Sequence, residues 1–241
     1  MPRPLIDLLW RESPHAPPPR RRGPRATHST NDVVAHALAL ADQRGLTAVT
    51  IRAVAESLGL TTMSIYTHVN SRDDLLVLMA DRAHAEMELS PFGRARWRTR
   101  VRRVAEANLE LLRARPWLLD VDDPRTALGP GTVAKYDHEL HAFDDTGLGD
   151  LDRDAALAFV LDFARATASR MAQASAAVDM AEEWERAAGP LATYLGPDLA
   201  LAQRVGRAAG ESMQGPFDAQ RAWDWGLTRV IGGLAEITEG S

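Results

Sequence analysis

Residues 50–72 read TIRAVAESLGLTTMSIYTHVNSR, and the reading of this stretch decides the fold. Thr50 is a helix N-cap, because a threonine oxygen accepts from an orphan N–H of the opening turn. Val54, Ala55 and Leu58 then recur at helical spacing and form one apolar face. Gly59 stands where the helix must stop and turn, a place for the left-handed backbone that glycine adopts cheaply. Leu60 returns to the core. Thr61 opens a second helix in which Ile65 and Val69 face inward, while Thr62, Ser64, Thr67 and His68 face out. Two helices, a tight turn and a hydroxyl-rich second helix suit a reader of the DNA major groove.

The flanks support this. Ser29 and Asp32 form a capping box, with Asp where Glu or Gln is usual, and Val33, Val34, Ala37, Leu38 and Ala41 make one stripe. A helix over 30–44 follows, closed by Gly45. The three-helix head therefore spans residues 29–72. A connecting helix over 73–89, started by Ser71 or Asp73, carries Leu75, Leu76, Leu78 and Met79 on several faces, so it touches both the head and the body. Residues 1–28 include PHAPPPRRRGPRATH and are expected to be a disordered basic arm. Its Arg20, Arg21, Arg22 and Arg25 would reach a minor groove or add phosphate contacts; a solvated tail is the alternative.

Residues 73–241 read as a larger helical body. Trp97, Val101, Val104, Asn108 and Leu111 or Leu112 share one face of a helix that Pro116 ends. Residues 120–131 form a loop, and a helix over 132–143 carries Val133, Tyr136 and Leu140. An alanine-rich helix covers 152–177. Short pieces over 190–216 are broken at Gly189-Pro190, Gly196-Pro197 and Gly215-Pro216, and Asp218 caps a last helix over 219–238. No strand pattern of useful length appears, so the fold class is all-α.

The chain has 241 residues, 45% apolar and 25% charged, as in an ordinary globular protein. Its lack of cysteine excludes disulfides, thiolate nucleophiles and cysteine-bound zinc. No apolar run is long enough for a transmembrane helix, and the opening residues lack the form of a secretory signal, so no membrane partner and a cytoplasmic location are expected. The net charge of −5 hides an asymmetry. Residues 1–72 hold nine arginines against five acidic residues, a balance of +4, and the rest holds 19 basic against 28 acidic residues, a balance of −9. A positive head on an acidic body suits phosphate binding through a local patch.

From about Ser29 to Met79 the chain resembles the TetR family of transcriptional regulators. The likeness rests on LTAVTIRAVAESLG followed by TTMSIYTHVNSRDDLL, and the YTHV ending is similar to the branch that includes the tetracycline repressor. The resemblance implies a homodimer with two heads, a ligand cavity in each body and a four-helix interface from the last long helices, here 152–177 and 219–238. By position it implies that Arg52 contacts a phosphate or a base edge, where one guanidinium can bond two acceptors of guanine. A solvated surface arginine is the alternative. Thr50 would join Arg52 among the DNA-binding residues; Thr61 would hold a phosphate; Thr62, Met63 and Ser64 would read bases; Tyr66 would present its ring and hydroxyl to the sugar-phosphate chain. Thr67, His68 and Arg72 would set register on the backbone, with His68 titrating near neutrality. One head cannot select a genomic site alone, so a dimer on a palindromic operator is expected.

For a small-molecule effector the candidates are Asn108, Trp117, Tyr136, His138, His141, Phe159, Phe163 and Met171, which suit an apolar cavity or an ordinary core equally. The resulting expectation is a repressor, released when an effector tilts the connecting helix. Two other readings compete. An architectural DNA binder with little sequence choice would want a basic whole chain, and this body is acidic. A helical-bundle enzyme would want a metal or phosphate motif. In HELH, His138 and His141 lie three apart, Asp81 to His84 is only near a di-iron motif, and Gly129-Pro130-Gly131-Thr132 lacks the lysine of a phosphate loop. No enzyme activity, metal or cofactor is therefore expected.

Overall fold

A computed structural model describes residues 3–16, 28–176, 180–195, 197–213 and 219–239, and these hold helices and turns without a strand. The head contains α1 (Leu5–Leu9), α2 (Thr30–Arg44), α3 (Ile51–Leu58) and α4 (Thr62–Ile65). The connecting helix is α5 (Arg72–Ala85), and the body holds α6 (Trp97–Ala114), α7 (Pro130–Leu140) and α8 (Asp150–Ala176). Then come α9 (Met180–Leu195), α10 (Ala200–Met213) and α11 (Ala219–Glu239). No helix among the described residues is long and apolar enough to cross a membrane.

Local chemistry sets the helix starts. Ser29 caps α2 in a full capping box, its oxygen accepting from the Asp32 N–H and the Asp32 carboxylate accepting from the Ser29 N–H. Thr50, Thr61 and Ser71 cap α3, α4 and α5 in the same way through the N–H groups of Ala53, Ser64 and Asp74. Pro130 opens α7, where its missing N–H costs nothing.

One apolar cluster joins α1–α5 and takes in Trp117 and Leu118 from the turn after α6. A second is built from α6, α8 and α11, with Phe143 between them. The connecting helix belongs to the first: Leu75, Val77, Leu78, Met79, Ala80 and Ala83 are all buried in it. It begins at Arg72 and ends at Ala85 rather than running over 73–89.

The expectation of a disordered arm over 1–28 fails for residues 3–16. Leu5, Leu8 and Leu9 lie on one face of a short helix, and Leu8 and Leu9 are buried against the head core, so the apolar run outweighs the proline and arginine after it. The arginines at 20, 21, 22 and 25 lie outside the described residues. The short pieces expected over 190–216 are instead two helices, α9 with Pro190 inside it and α10, because one internal proline kinks a helix without always ending it. The breaks expected at Gly196 and Gly215-Pro216, and the cap at Asp218, also lie outside the described residues. The loop over 120–131 contains a tight turn, Pro124–Leu128, preceded by another over Pro116–Asp120.

Candidate functional site

Gly59 takes φ 67° and ψ 27°, the left-handed geometry that lets Leu60 double back and sets α4 against α3. Ile65 and Val69 are fully buried and pin the short α4 to the head. That anchoring turns Thr62, Met63 and Tyr66 outward, with Met63 72% and Tyr66 49% exposed. Arg52 projects from the start of α3, held at 2.8 Å by Glu56 one turn on, an exposed pair weak enough to open for another acceptor.

The other candidates on this face are partly engaged. The Thr61 hydroxyl lies 2.9 Å from that of Ser64, and the Thr67 hydroxyl donates to the Ser64 carbonyl at 2.7 Å. His68 is half-buried, and desolvation pushes its imidazole below the usual value, helped by Arg3 and His28. Its charged form is thus disfavoured in the folded head. Arg72, expected at the DNA backbone, turns inward instead: Nε donates to the Val49 carbonyl at 2.7 Å and Nη2 to the Leu46 carbonyl at 3.1 Å. The Leu46 carbonyl already accepts from the Val49 N–H in the turn between α2 and α3, and the arginine adds a second donor there and supplies one to the Val49 carbonyl. Arg3, which the sequence did not single out, donates to the Thr67 and His68 carbonyls.

The expected effector residues do not converge. Trp117 is buried in the head cluster, its indole N–H donating to Asp42 at 2.7 Å. Tyr136 is exposed and donates to Asp154; His138 stacks on Phe92 at 4.7 Å; His141 pairs with Asp144 at 2.8 Å. Phe159 points outward from α8, Phe163 stacks on Trp223 at 5.2 Å, and Met171 packs on the edge of the body cluster. Asn108 is buried because its amide donates to Glu139 at 2.5 Å and to the Val104 carbonyl at 2.9 Å. Glu139 also accepts from Lys135 at 2.7 Å, with both side chains almost fully buried. The lysine–glutamate spacing of four on α7 was the available signal for this cluster.

A cleft of about 330 Å³ opens between α5, α6, α7, α8 and the turn Pro124–Leu128. Its walls are largely apolar, including Ala80, Leu112, Leu118 and Val121. Its polar groups are His84, Thr132, Thr126 and Arg165, with Asp122 and Asp123 beside the turn. Burial, then Lys135, lowers the His84 imidazole to about 4, so it meets the Thr132 hydroxyl at 2.9 Å as a neutral ring. The buried Thr126 hydroxyl has no protein partner, which is rare for a buried polar atom. Arg165 caps the Leu118 and Leu119 carbonyls. Gly129 and Gly131 make the far wall possible: a Cβ at Gly131 would lie 2.3 Å from the Asp81 carbonyl oxygen, so only glycine lets α7 lie this close to α5. The Gly-Pro-Gly run is thus a helix contact, and Asp81 accepts from the Thr132 N–H at 2.8 Å beside it.

The sequence of this chain matches the family model described as bacterial regulatory proteins, tetR family, over residues 33–79. It also matches the tetracyclin repressor-like C-terminal domain over 91–238, more than half of the chain. It is 34% identical to the HTH-type transcriptional repressor DrrR1 of Streptomyces coeruleorubidus over 156 residues, 64% of this chain and 56% of that protein. The match thus spans little more than half the length of that curated relative. In fold it is similar to Streptomyces coelicolor ActR, with a TM-score of 0.70 to the apo form at 25% identity, over 88% of this chain and 99% of that one. Against ActR in complex with actinorhodin the TM-score is 0.74 at 23% identity, over 87% and 97% of the two chains. With a helix-turn-helix head and a repressor-like body both matched in order, the chain belongs to the TetR family of bacterial regulatory proteins.

Proposed function

We propose that this chain is a ligand-responsive transcriptional repressor that binds a palindromic operator as a homodimer and leaves it when a small molecule occupies the body. The observation that carries the reading is the α3–α4 unit, where buried Ile65 and Val69 fix the backbone and leave Arg52, Thr62, Met63 and Tyr66 outward. Its relative DrrR1 is named as a repressor, and ActR has been solved with actinorhodin bound. The role is regulatory rather than enzymatic, in the cytoplasm, where the operator would be.

The dimer forms through α8 and α11. Ala156, Ala164 and Ala168 serve the chain's own core, while Leu151 at 86% exposure and Trp225 at 62% face out, and Phe159, Ile237 and Gly232-Gly233 on the same two helices are exposed as well. Large apolar residues left in water on two long helices are what a second copy would cover. The effector enters the cleft above α7. Its chemistry is set by the walls: an apolar body with oxygen or nitrogen atoms for neutral His84, Thr132 and the unpartnered Thr126 hydroxyl.

Selection from a pool of random duplexes tests the reading. Wild-type protein enriches an inverted repeat, and Arg52→Ala or Tyr66→Ala weakens binding to it. Retention that depends on salt but enriches no motif would replace this reading with that of an architectural binder.

A further inference from the structure

Two polar connections run from the turn that walls the cleft to the end of the reading unit. In the first, Arg125 donates to Asp74 at 2.9 Å, and the other Asp74 oxygen accepts from the Asn70 amide at 2.8 Å. Asn70 comes directly after His68 and Val69, where the reading unit ends. In the second, the Trp10 indole N–H donates to the Leu128 carbonyl at 2.8 Å. Trp10 closes α1, which Leu8 and Leu9 hold in the head core. At its other end Arg3 donates to the Thr67 and His68 carbonyls, at 3.2 and 3.5 Å, and its own carbonyl accepts from Asn70 at 2.9 Å. Both routes start in Pro124–Leu128 and meet at Thr67–Asn70.

We infer that residues 3–10, with Arg125 and Asp74, form a two-armed clamp that positions the end of the reading unit according to the state of the cleft wall. The turn Pro124–Leu128 is the part of the cleft free to respond, since it is neither α-helix nor packed core, and Thr126 within it carries the unpartnered hydroxyl. A shift there pulls on Asp74 through Arg125 and on α1 through Trp10 together. The clamp runs beside α5 and adds to whatever that helix transmits. Arg3, Trp10 and Arg125 are positioning residues in this scheme. The inference rests on the reading of the head as a DNA binder only for its consequence on affinity; the geometry of the clamp is independent of it.

The test uses the full chain and two variants, each far from the outward face of α4. Trp10→Phe keeps the ring and loses the N–H without changing charge, and Arg125→Gln breaks the other arm. Amide hydrogen exchange is followed at Thr67–Asn70, and affinity is measured for the duplex that wild-type protein enriches, over a range of salt. Each variant should speed exchange at Thr67–Asn70 and weaken duplex binding by about three- to thirtyfold, with an unchanged salt slope and a thermal midpoint lowered by no more than the loss of one polar contact accounts for. Arg125→Lys should recover part of the loss. Exchange at Thr67–Asn70 equal to wild type in both variants overturns the clamp. Faster exchange spread evenly over the head, with a midpoint lowered beyond the loss of one polar contact, overturns it too, because that reports lost stability rather than lost positioning. If wild-type protein enriches no duplex, the operator reading fails, while the exchange result still decides the clamp.

Discussion

The indole of Trp117 and the carboxylate of Asp42 are joined by a 2.7 Å hydrogen bond that ties the turn after α6 to α2 of the head. Arg115 extends the seam, pairing with Asp42 at 3.6 Å and with Glu86 beyond the end of α5 at 2.6 Å. Because Trp117 and Leu118 sit inside the head cluster, head and body share a core here rather than meeting at a flexible joint. Trp117→Phe should keep most of the packing and cost about 1 kcal/mol, the net worth of one hydrogen bond. Trp117→Ala should cost about 3–5 kcal/mol. Urea unfolding of both variants checks the difference; a Trp117→Phe variant as stable as wild type would show that the bond to Asp42 contributes nothing.

Glu139 holds both Lys135 and the Asn108 amide inside the body. Removing the carboxylate leaves a buried ammonium without a partner, so Glu139→Ala should destabilise by about 3–5 kcal/mol. The double change Lys135→Met with Glu139→Leu removes both charges together and should cost clearly less than the single one. Chemical denaturation of the two proteins decides it, and a double variant weaker than Glu139→Ala would contradict the argument.

His84 lies in the cleft with its imidazole lowered to about 4 from 6.5, chiefly by burial and then by Lys135. The unfolded chain takes up a proton there as pH falls below 6.5, whereas the folded chain does so only near 4. The group therefore costs stability at low pH and has no effect above neutrality. The loss builds up between pH 6.5 and 4 and reaches on the order of 3 kcal/mol at the acid end. The raised carboxyl of Asp81, pushed up first by burial, acts in the opposite direction, so the measurement is the difference between wild type and His84→Gln across that range. A difference that stays constant with pH would show that His84 is not held neutral.

Gly131 poses a contest between two effects. In a free helix, alanine would be favoured over glycine by about 1 kcal/mol. Here a Cβ would meet the Asp81 carbonyl oxygen at 2.3 Å and the Ala85 methyl at 2.7 Å, and backbone cannot move aside cheaply. Gly131→Ala should therefore destabilise by about 1–3 kcal/mol and widen the cleft. Gly206→Ala in α10 meets nothing within 4 Å and should be neutral or stabilising. Thermal midpoints of the pair test the sign at each site.

The legible part of the sequence was local. The capping box at Ser29–Asp32, the threonine caps of α3 and α4, the stop at Gly59 and the stripe of α2 each depend on neighbours within a few residues, and each is present in the fold. The inward face of the reading unit, Ile65 and Val69, comes from the same short-range periodicity. The effector residues were not legible. Asn108, Trp117 and Tyr136 are the residue types a pocket wants, but composition does not say which helix faces which, and the three were drawn into a buried ion-pair cluster, the head core and the surface.

The sequence by itself determined the family, the all-α class and the outward hydroxyl-rich turn, because caps, glycine stops and helical periodicity act over one or two turns of chain. Only the tertiary structure decided that Arg72 braces the α2–α3 turn, that α1 is part of the head, and that Gly131 lets α7 approach α5. Those outcomes join residues far apart along the chain. Which carbonyl lacks a partner, and which helix leaves room for a neighbour, exists only once the helices have packed.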